Sequence, residues 1–320
     1  MKQTLVVSVL TLAIIGIIGW GILSRDSSAI PSILRDDSHL TSDKRIVTTS
    51  FYPLFFFASE VGGDEADISN VVPSGAEPHE YEPTPGERAR IEKSDLLILN
   101  GGGLEPWGDD VREALEKKGV LTMVAGEGLM TRAMEDEEGK LGSTGVVDPH
   151  VWLSPLFAEK MVDRILSGFL SIDPEHADLY RQNAAVLKKS LADLDAEYRK
   201  GLSNCKTQSI VTSHAAFGYL ADTYGLTQVS IAGISPEEEP SPSALAEIAD
   251  FAKTHEVSYI FFESLVSPKL AETIASEVGA KTLTLNPIEG LTDEEIAAGE
   301  NYLTIMQQNL NHLRIALQCQ

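Results

Sequence analysis

The amino-acid sequence predicts an α/β protein: two doubly wound lobes with parallel sheets, joined by one long rigid helix. Three observations lead there. Short β-branched or apolar runs alternate with helical patterns, as a parallel sheet covered on both faces requires. The alternation comes in two sets, which fit two lobes better than one sheet. Between the sets lies a run of helical periodicity that no Gly or Pro interrupts from Pro174 to Gly201. At 320 residues the chain is long enough for two domains with hydrophobic cores of their own.

In chain order, residues 1–24 read as an N-terminal signal or membrane anchor. Lys2 supplies a positive start, and an apolar run from Leu5 to Leu23 follows, broken only by Ser, Thr and Gly. At about twenty residues it is long for a cleaved signal peptide and just long enough to span a bilayer. With no small-residue cleavage site before Ser24–Ser28, an uncleaved anchor with everything after it outside is expected. The absence of a Cys near the end of the run excludes lipid attachment there. Residues 25–43, polar with one Pro, read as a tether.

Residues 44–172 make the first lobe. Its strands are expected at Arg45–Ser50, Ile68–Val72, Leu96–Asn100 and Val120–Val124, with helices at Tyr52–Val61, Pro85–Lys93 and Pro106–Lys118. Residues 173–203 make the connecting helix. Asp173 sits where an N-cap is wanted, Pro174 at the first helical position, and Leu179, Ala185, Leu187, Leu191, Leu194 and Tyr198 at helical spacing. Such a strut would be about 45 Å long. Residues 204–320 repeat the scheme, with strands at Ser209–Ser213, Thr227–Ala232, Tyr259–Glu263 and Thr282–Leu285. The helices of this second lobe are expected near Ala215–Tyr224, Ser243–His255, Pro268–Val278 and Asn301–Leu317.

The formal net charge is −23, from 25 Lys and Arg against 48 Asp and Glu. A surface this acidic repels phosphate backbones and argues against a nucleic-acid partner. It concentrates cations, although solubility alone explains such acidity equally well. The two cysteines, Cys205 and Cys319, form an even pair in a chain read as exported. They are expected to bond and pin the C-terminal helix to the start of the second lobe, the alternative being two free thiols.

Seven histidines are candidates for chemistry. His39 falls in the tether, and His176, His255 and His312 fall among polar residues in helical patterns, where a solvated face is the ordinary setting. His79 lies in the turn-rich stretch Pro73–Pro83 directly after the second strand. His150 follows Asp148-Pro149 just ahead of a helix, and His214 closes the strand Ile210–Ser213. In doubly wound sheets the loops beyond the carboxyl ends of the strands face the ligand cleft, which sets these three apart.

The stretches Gly75-Ala-Glu-Pro-His-Glu-Tyr-Glu-Pro-Thr84, Asn100-Gly-Gly-Gly-Leu-Glu-Pro-Trp107, Asp148-Pro-His-Val-Trp-Leu153 and Val211-Thr-Ser-His-Ala-Ala-Phe-Gly-Tyr-Leu220 carry a resemblance. Together, and in this order, they resemble the zinc- and manganese-specific solute-binding proteins of ABC importers, from about Val47 to the C-terminus. The resemblance implies two α/β lobes, a long connecting helix and a metal at the lobe interface. It implies His79 and His150 as ligands from the first lobe and His214 as the third, a position where many manganese binders of the family carry Glu. Many members have an Asp where this chain has Asn286, in Leu285-Asn-Pro-Ile-Glu-Gly-Leu-Thr292. A zinc-binding subgroup, the AdcA-like proteins, shows a similar Asn-Pro-X-Glu pattern and uses the Glu, which points to Glu289. Water, or Glu263 at the end of its strand, remain alternatives for the fourth ligand.

Three imidazoles and one carboxylate suit tetrahedral Zn²⁺, whereas Mn²⁺ prefers more oxygen ligands and a higher coordination number. The expected partners are accordingly a Zn²⁺ ion, an ABC importer permease and, through the N-terminal anchor, a membrane; the chain is expected to act as a monomer. Some zinc-type members carry a His-rich loop before the second ligand. The matching stretch here, Thr131–Gly145, contains Glu135-Asp-Glu-Glu138 and no His, and reads as a solvated acidic loop. Two competing classes are a zinc hydrolase, with His₃ and an open position and Glu263 or Glu80 as base, and a surface adhesin on the same fold. The hydrolase lacks a His-Glu-x-x-His, a Gly-x-Ser-x-Gly or a phosphate loop to support it.

Overall fold

The computed structural model describes residues 44–133 and 147–320. The expected anchor (1–24), the tether (25–43) and most of the acidic stretch at 131–145 lie outside those residues. Among the described residues, no helix is long and apolar enough to cross a membrane.

Eight strands form two four-stranded parallel sheets. The first holds β1 (Arg45–Thr49), β2 (Ala66–Asn70), β3 (Leu96–Leu99) and β4 (Leu121–Val124), in the order β2-β1-β3-β4. The second holds β5 (Ser209–Thr212), β6 (Thr227–Ser230), β7 (Tyr259–Phe262) and β8 (Lys281–Thr284), in the order β6-β5-β7-β8. Ten α-helices accompany them in the described chain: α1 (Tyr52–Gly62), α2 (Pro85–Ile91), α3 (Gly108–Glu116), α4 (Pro155–Ile172), α5 (Ala177–Gly201), α6 (Gly218–Tyr224), α7 (Pro242–Thr254), α8 (Lys269–Val278), α9 (Asp293–Ala297) and α10 (Tyr302–Ala316). In both sheets the winding reverses between the two central strands, β1 and β3 or β5 and β7, which opens a crevice at their carboxyl ends.

The period-2 alternation of strand side chains shows why both faces are covered. Leu96 and Ile98 of β3 enter a central core, while Leu97 and Leu99 enter a separate cluster with Ile91, Trp107, Val111 and Leu115. In the second sheet Ile210 and Phe261 face the central core, and Val211 and Ile260 face a cluster with Ile248, Ala252 and Ile274. The central core is continuous from one sheet to the other: Phe51, Phe57 and Trp152 belong to it, and so do Phe217, Tyr302 and Leu310. The two lobes are therefore packed on one another rather than hung on a linker.

Several expectations are corrected in detail. β2 starts two residues before Ile68, because Ala66 and Asp67 lack the β-branched signature yet pair with Arg45 and Ile46; Val71 and Val72 still donate to Thr49 O and Ser50 O (2.8 and 3.0 Å). The link is not one helix from residue 173. Asp173 accepts from His176 Nδ1 and Tyr180 OH, both at 2.7 Å, instead of capping the backbone, so Pro174–His176 forms a 3₁₀ turn before α5. The 25 residues of α5 span about 38 Å. Its buried face runs through Tyr180, Ala184, Leu187, Leu191, Leu194 and Tyr198, whereas Leu179 and Ala185 point outward. Sequence reading marks only the start of α4, although Ala158, Met161, Val162, Ile165 and Phe169 make a clear helical stripe. Cys205 and Cys319 are joined across a separation of 114 residues, as expected.

Candidate metal centre

Four loops at the carboxyl ends of the sheets converge on one point. His79 comes from the loop after β2, where Glu77 Oε1 accepts from its backbone N–H (3.2 Å). That loop is drawn across the cleft because Gly75 N donates to Leu291 O at 2.9 Å. His150 precedes α4. Its loop is fastened by Asn100, whose Nδ2 donates to Pro149 O at 3.0 Å. The stretch Asn100–Trp107 thereby acquires a physical role: buried Glu105 accepts from Ser50 Oγ (2.5 Å), Asn100 N (2.7 Å) and Gly101 N (3.0 Å). Gly101 and Gly102 have positive φ, and a Cβ on Gly102 would run into Met130, so glycine is required in this turn.

His214 follows β5, its carbonyl held by Thr212 Oγ1 (2.8 Å) and Gln228 Nε2 (3.0 Å). Glu289 stands on the loop after β8. Its neighbour Ile288 has a φ of 60°, an uncommon conformation for a β-branched residue that costs about 1–3 kcal/mol. The surroundings enforce it: Ile288 N donates to Asn286 Oδ1 at 2.7 Å, and Trp152 Nε1 donates to Pro287 O at 2.8 Å. Asn286 in turn exchanges hydrogen bonds with Asn309 (2.9 and 2.6 Å) and reaches Glu295 (2.8 Å). Asn286 therefore builds the loop, and Glu289 supplies the carboxylate that faces the cleft.

One side-chain atom from each of His79, His150, His214 and Glu289 lies within 4.8 Å of the others, a group that could hold a metal ion. His79 Nε2 is 3.2 Å from His150 Nε2 and 3.4 Å from Glu289 Oε1. His150 Nε2 is 3.1 Å from Glu289 Oε1, and His214 Nε2 is 3.3 Å from His150 Nε2 and 3.2 Å from Glu289 Oε1. These five separations match edges of a tetrahedron around Zn²⁺, about 3.3 Å for bonds of about 2.0–2.1 Å, and the sixth pair, His79 and His214, lies within 4.8 Å. Three imidazole nitrogens facing one another compete for few protons and acceptors, and Glu289 Oε2 is buried with no hydrogen-bond partner among the described residues. A cation at the centre satisfies all of these groups at once.

Two further carboxylates complete the arrangement. Asp148 Oδ1 accepts from His150 Nδ1 (2.8 Å) and His150 N (2.9 Å). Glu263 Oε1 accepts from His214 Nδ1 (2.7 Å) and His214 N (3.2 Å). Each fixes a ring and leaves Nε2 turned to the centre. Glu263 thus meets His214 at Nδ1, on the far side of the ring from the converging atoms, and Glu289 is the carboxylate grouped with the three Nε2 atoms. Asp148 has a local signal, the two-residue spacing of an Asx turn onto His150; the Glu263 contact spans 49 residues and has none.

The electrostatics follow from burial and from these partners. Burial alone would lower His150 and His214, but Asp148 and Glu289 raise the first, and Glu263 and Glu289 raise the second well above the ordinary imidazole value. His79 is lowered, chiefly by burial and further by the charges of His150 and His214, against the opposing pull of Glu289. Burial would raise Glu289, yet His214, His150 and His79 hold it well below the usual carboxylate range. Burial, and then the charge of Glu289, push Glu77 up to about 9; its Oε2 is also buried without a partner among the described residues.

A family model described as zinc-uptake complex component A, periplasmic, matches residues 47–316. The chain is 41% identical over 274 residues to the zinc-binding lipoprotein AdcA of Streptococcus pneumoniae, covering 84% of this chain and 55% of that one. It is 40% identical over 281 residues to the high-affinity zinc uptake system protein ZnuA of Bacillus subtilis, covering 86% and 88%. The chain thus spans about half the length of the AdcA relatives it matches. The crystal structure of the Zn(II)-bound ZnuA-like domain of Streptococcus pneumoniae AdcA superposes with a TM-score of 0.74 at 40% identity, covering 86% of this chain and 99% of that one. With two parallel sheets, a His₃Glu cluster between them and a match along most of its length, the chain belongs to the family of periplasmic zinc-uptake complex component A.

Proposed function

We propose that this protein is an extracytoplasmic receptor that captures one Zn²⁺ ion between its lobes and delivers it to an ABC importer permease. The observation that carries the reading is the convergence of His79, His150, His214 and Glu289 on one buried point. An N₃O set of four protein ligands suits Zn²⁺ over Mn²⁺, which favours more oxygen and more ligands. The names of AdcA and ZnuA, which are zinc-binding and zinc-uptake proteins, support the same cargo.

The ligands come from a single chain, which supports a monomer as the working unit. Residues 44–172 and 204–320 serve as the lobes and 173–203 as the link between them. The apolar run Leu5–Leu23 serves as the anchor, since both cysteines lie far from it and are paired with each other. A receptor is favoured over a zinc hydrolase because Glu289 fills the position that catalytic zinc keeps open. Of the two imagined bases, Glu263 is engaged by His214 and Glu80 is exposed.

Elemental analysis of the purified chain beside a His214→Ala variant tests the reading. The expected result is one zinc per wild-type chain, loss of tight binding in the variant, and an unchanged circular-dichroism spectrum. Equal zinc content in the two proteins would remove His214 from the site.

A further inference from the structure

We infer that Arg132 is a positioning residue: its guanidinium couples the orientation of His150 to the seating of the second lobe, and so sets how fast the bound ion leaves. The inference rests on the reading of His150 as a metal ligand.

The starting observation is that Asp148 is used twice. Its Oδ1 holds the His150 ring and backbone, while its Oδ2 faces Arg132 Nε at 3.4 Å. The carboxylate is 1% exposed, so a cation beside it offsets a charge that would otherwise be left poorly compensated. The same guanidinium reaches across the cleft to Asp222 of α6 through a terminal nitrogen. The backbone repeats the link. Asp148 N donates to Arg132 O (3.0 Å), Arg132 N donates to Tyr219 OH (3.2 Å), and Tyr219 OH donates to Asp148 O (2.9 Å).

A second, steric observation points the same way. Gly218 opens α6 with ordinary helical φ, so an alanine there would suit the backbone. Its Cβ, however, would meet Arg132 Nε and, at 2.7 Å, Asp148 Oδ2. The second lobe is pressed directly onto the ion pair. Because α6 begins four residues after His214, the clasp ties the neighbours of two ligands from opposite sheets. Separating the sheets at this edge requires the Arg132–Asp222 contact to break, and Asp148 is then free to turn away from His150.

Partners beyond a ligand typically change metal affinity about 10–100-fold, and such changes fall mainly on dissociation. The test measures Zn²⁺ release into a chelator by stopped flow, with Zn²⁺ association beside it, for the full chain and for Arg132→Gln, Asp222→Asn and Gly218→Ala. Cobalt(II) spectra of each protein report the ligand field. The expected result is dissociation faster by about tenfold in all three variants, association nearly unchanged, and shifted cobalt bands. The effects of Arg132→Gln and Asp222→Asn should not add, because Arg132→Gln already breaks the contact to Asp222. Ser74→Ala removes hydrogen bonds at the opposite edge of the cleft, to Leu291 O (3.0 Å) and Asp293 Oδ1 (3.1 Å), and should leave the cobalt bands in place. Asp222 is exposed, so Asp222→Asn keeps the test open should Arg132→Gln fail to fold. Wild-type release rates and cobalt bands in Arg132→Gln or Asp222→Asn overturn the clasp and leave the metal centre standing. A wild-type chain that holds no zinc overturns both.

Discussion

Glu289 contributes the one carboxylate among the four converging groups, and its reach into the cleft depends on Ile288 holding a φ of 60°. The partners on the far side of the rings then decide how the site answers to pH. His150 and His214 have raised values in the metal-free protein, so they keep a proton at a pH where an ordinary imidazole, near 6.5, has lost it. Zn²⁺ binds neutral imidazole, so each of these protons must leave as the ion enters. Affinity is therefore expected to fall as pH falls, beginning above the ordinary imidazole range, with protons released on binding. Zinc titrations from about pH 8 to about pH 5, read by calorimetry in buffers of different ionisation enthalpy, check this. Affinity and proton release that stay flat across the range would contradict the assigned partners. The three histidines were legible because they stand at corresponding loop positions, and Glu289 because its Asn-Pro-X-Glu context resembles one subgroup. The burial of Glu77 beside Glu289 and the role of Glu263 were not, because they arise from packing between loops distant in sequence.

At the scale of elements, the strands were legible to within two residues at each end, since β-branched and apolar runs mark them and parallel pairing buries both faces. The helix phases were harder. In α5 the pairs Leu179/Tyr180 and Ala184/Ala185 offer two faces of similar hydrophobicity, and only tertiary packing selects Tyr180 and Ala184. The helix α4 carries a strong stripe through Ala158, Met161, Val162, Ile165 and Phe169, although only its start was legible from the motif before it. The linking helix does more than connect: Leu191 is fully buried in the core shared by the two sheets. Leu191→Ala is expected to destabilise the protein by about 2–5 kcal/mol, in the range of other buried leucine truncations. Chemical denaturation of the variant measures it, and a loss under about 1 kcal/mol would mean that α5 is a tether on the surface and not part of the core.

The whole molecule is built for stiffness. One continuous hydrophobic core serves both sheets. Tyr302 OH donates to Trp152 O at 2.5 Å and Tyr198 OH to Met306 O at 2.7 Å, which ties α10 to the loop after His150 and to α5. The Cys205–Cys319 bond closes the second lobe around a separation of 114 residues. Loop entropy gives such a closure a stabilisation of about 4–5 kcal/mol at most. Reduction is accordingly expected to lower the melting temperature by several degrees, in the range of 2–4 °C or so for each kcal/mol. An unchanged melting temperature under reductant would mean that the bond bears no load in the folded state.

Whether the chain holds a single His₃Glu zinc site is decided by a competition titration of Zn²⁺ against Mn²⁺ on the full chain, beside Glu289→Ala. One tightly held Zn²⁺ per chain is expected, preferred over Mn²⁺, with affinity in the variant lower by on the order of a hundredfold, since four ligands share about 10–16 kcal/mol. A preference for Mn²⁺, or a variant that binds Zn²⁺ as the wild type does, would contradict that site.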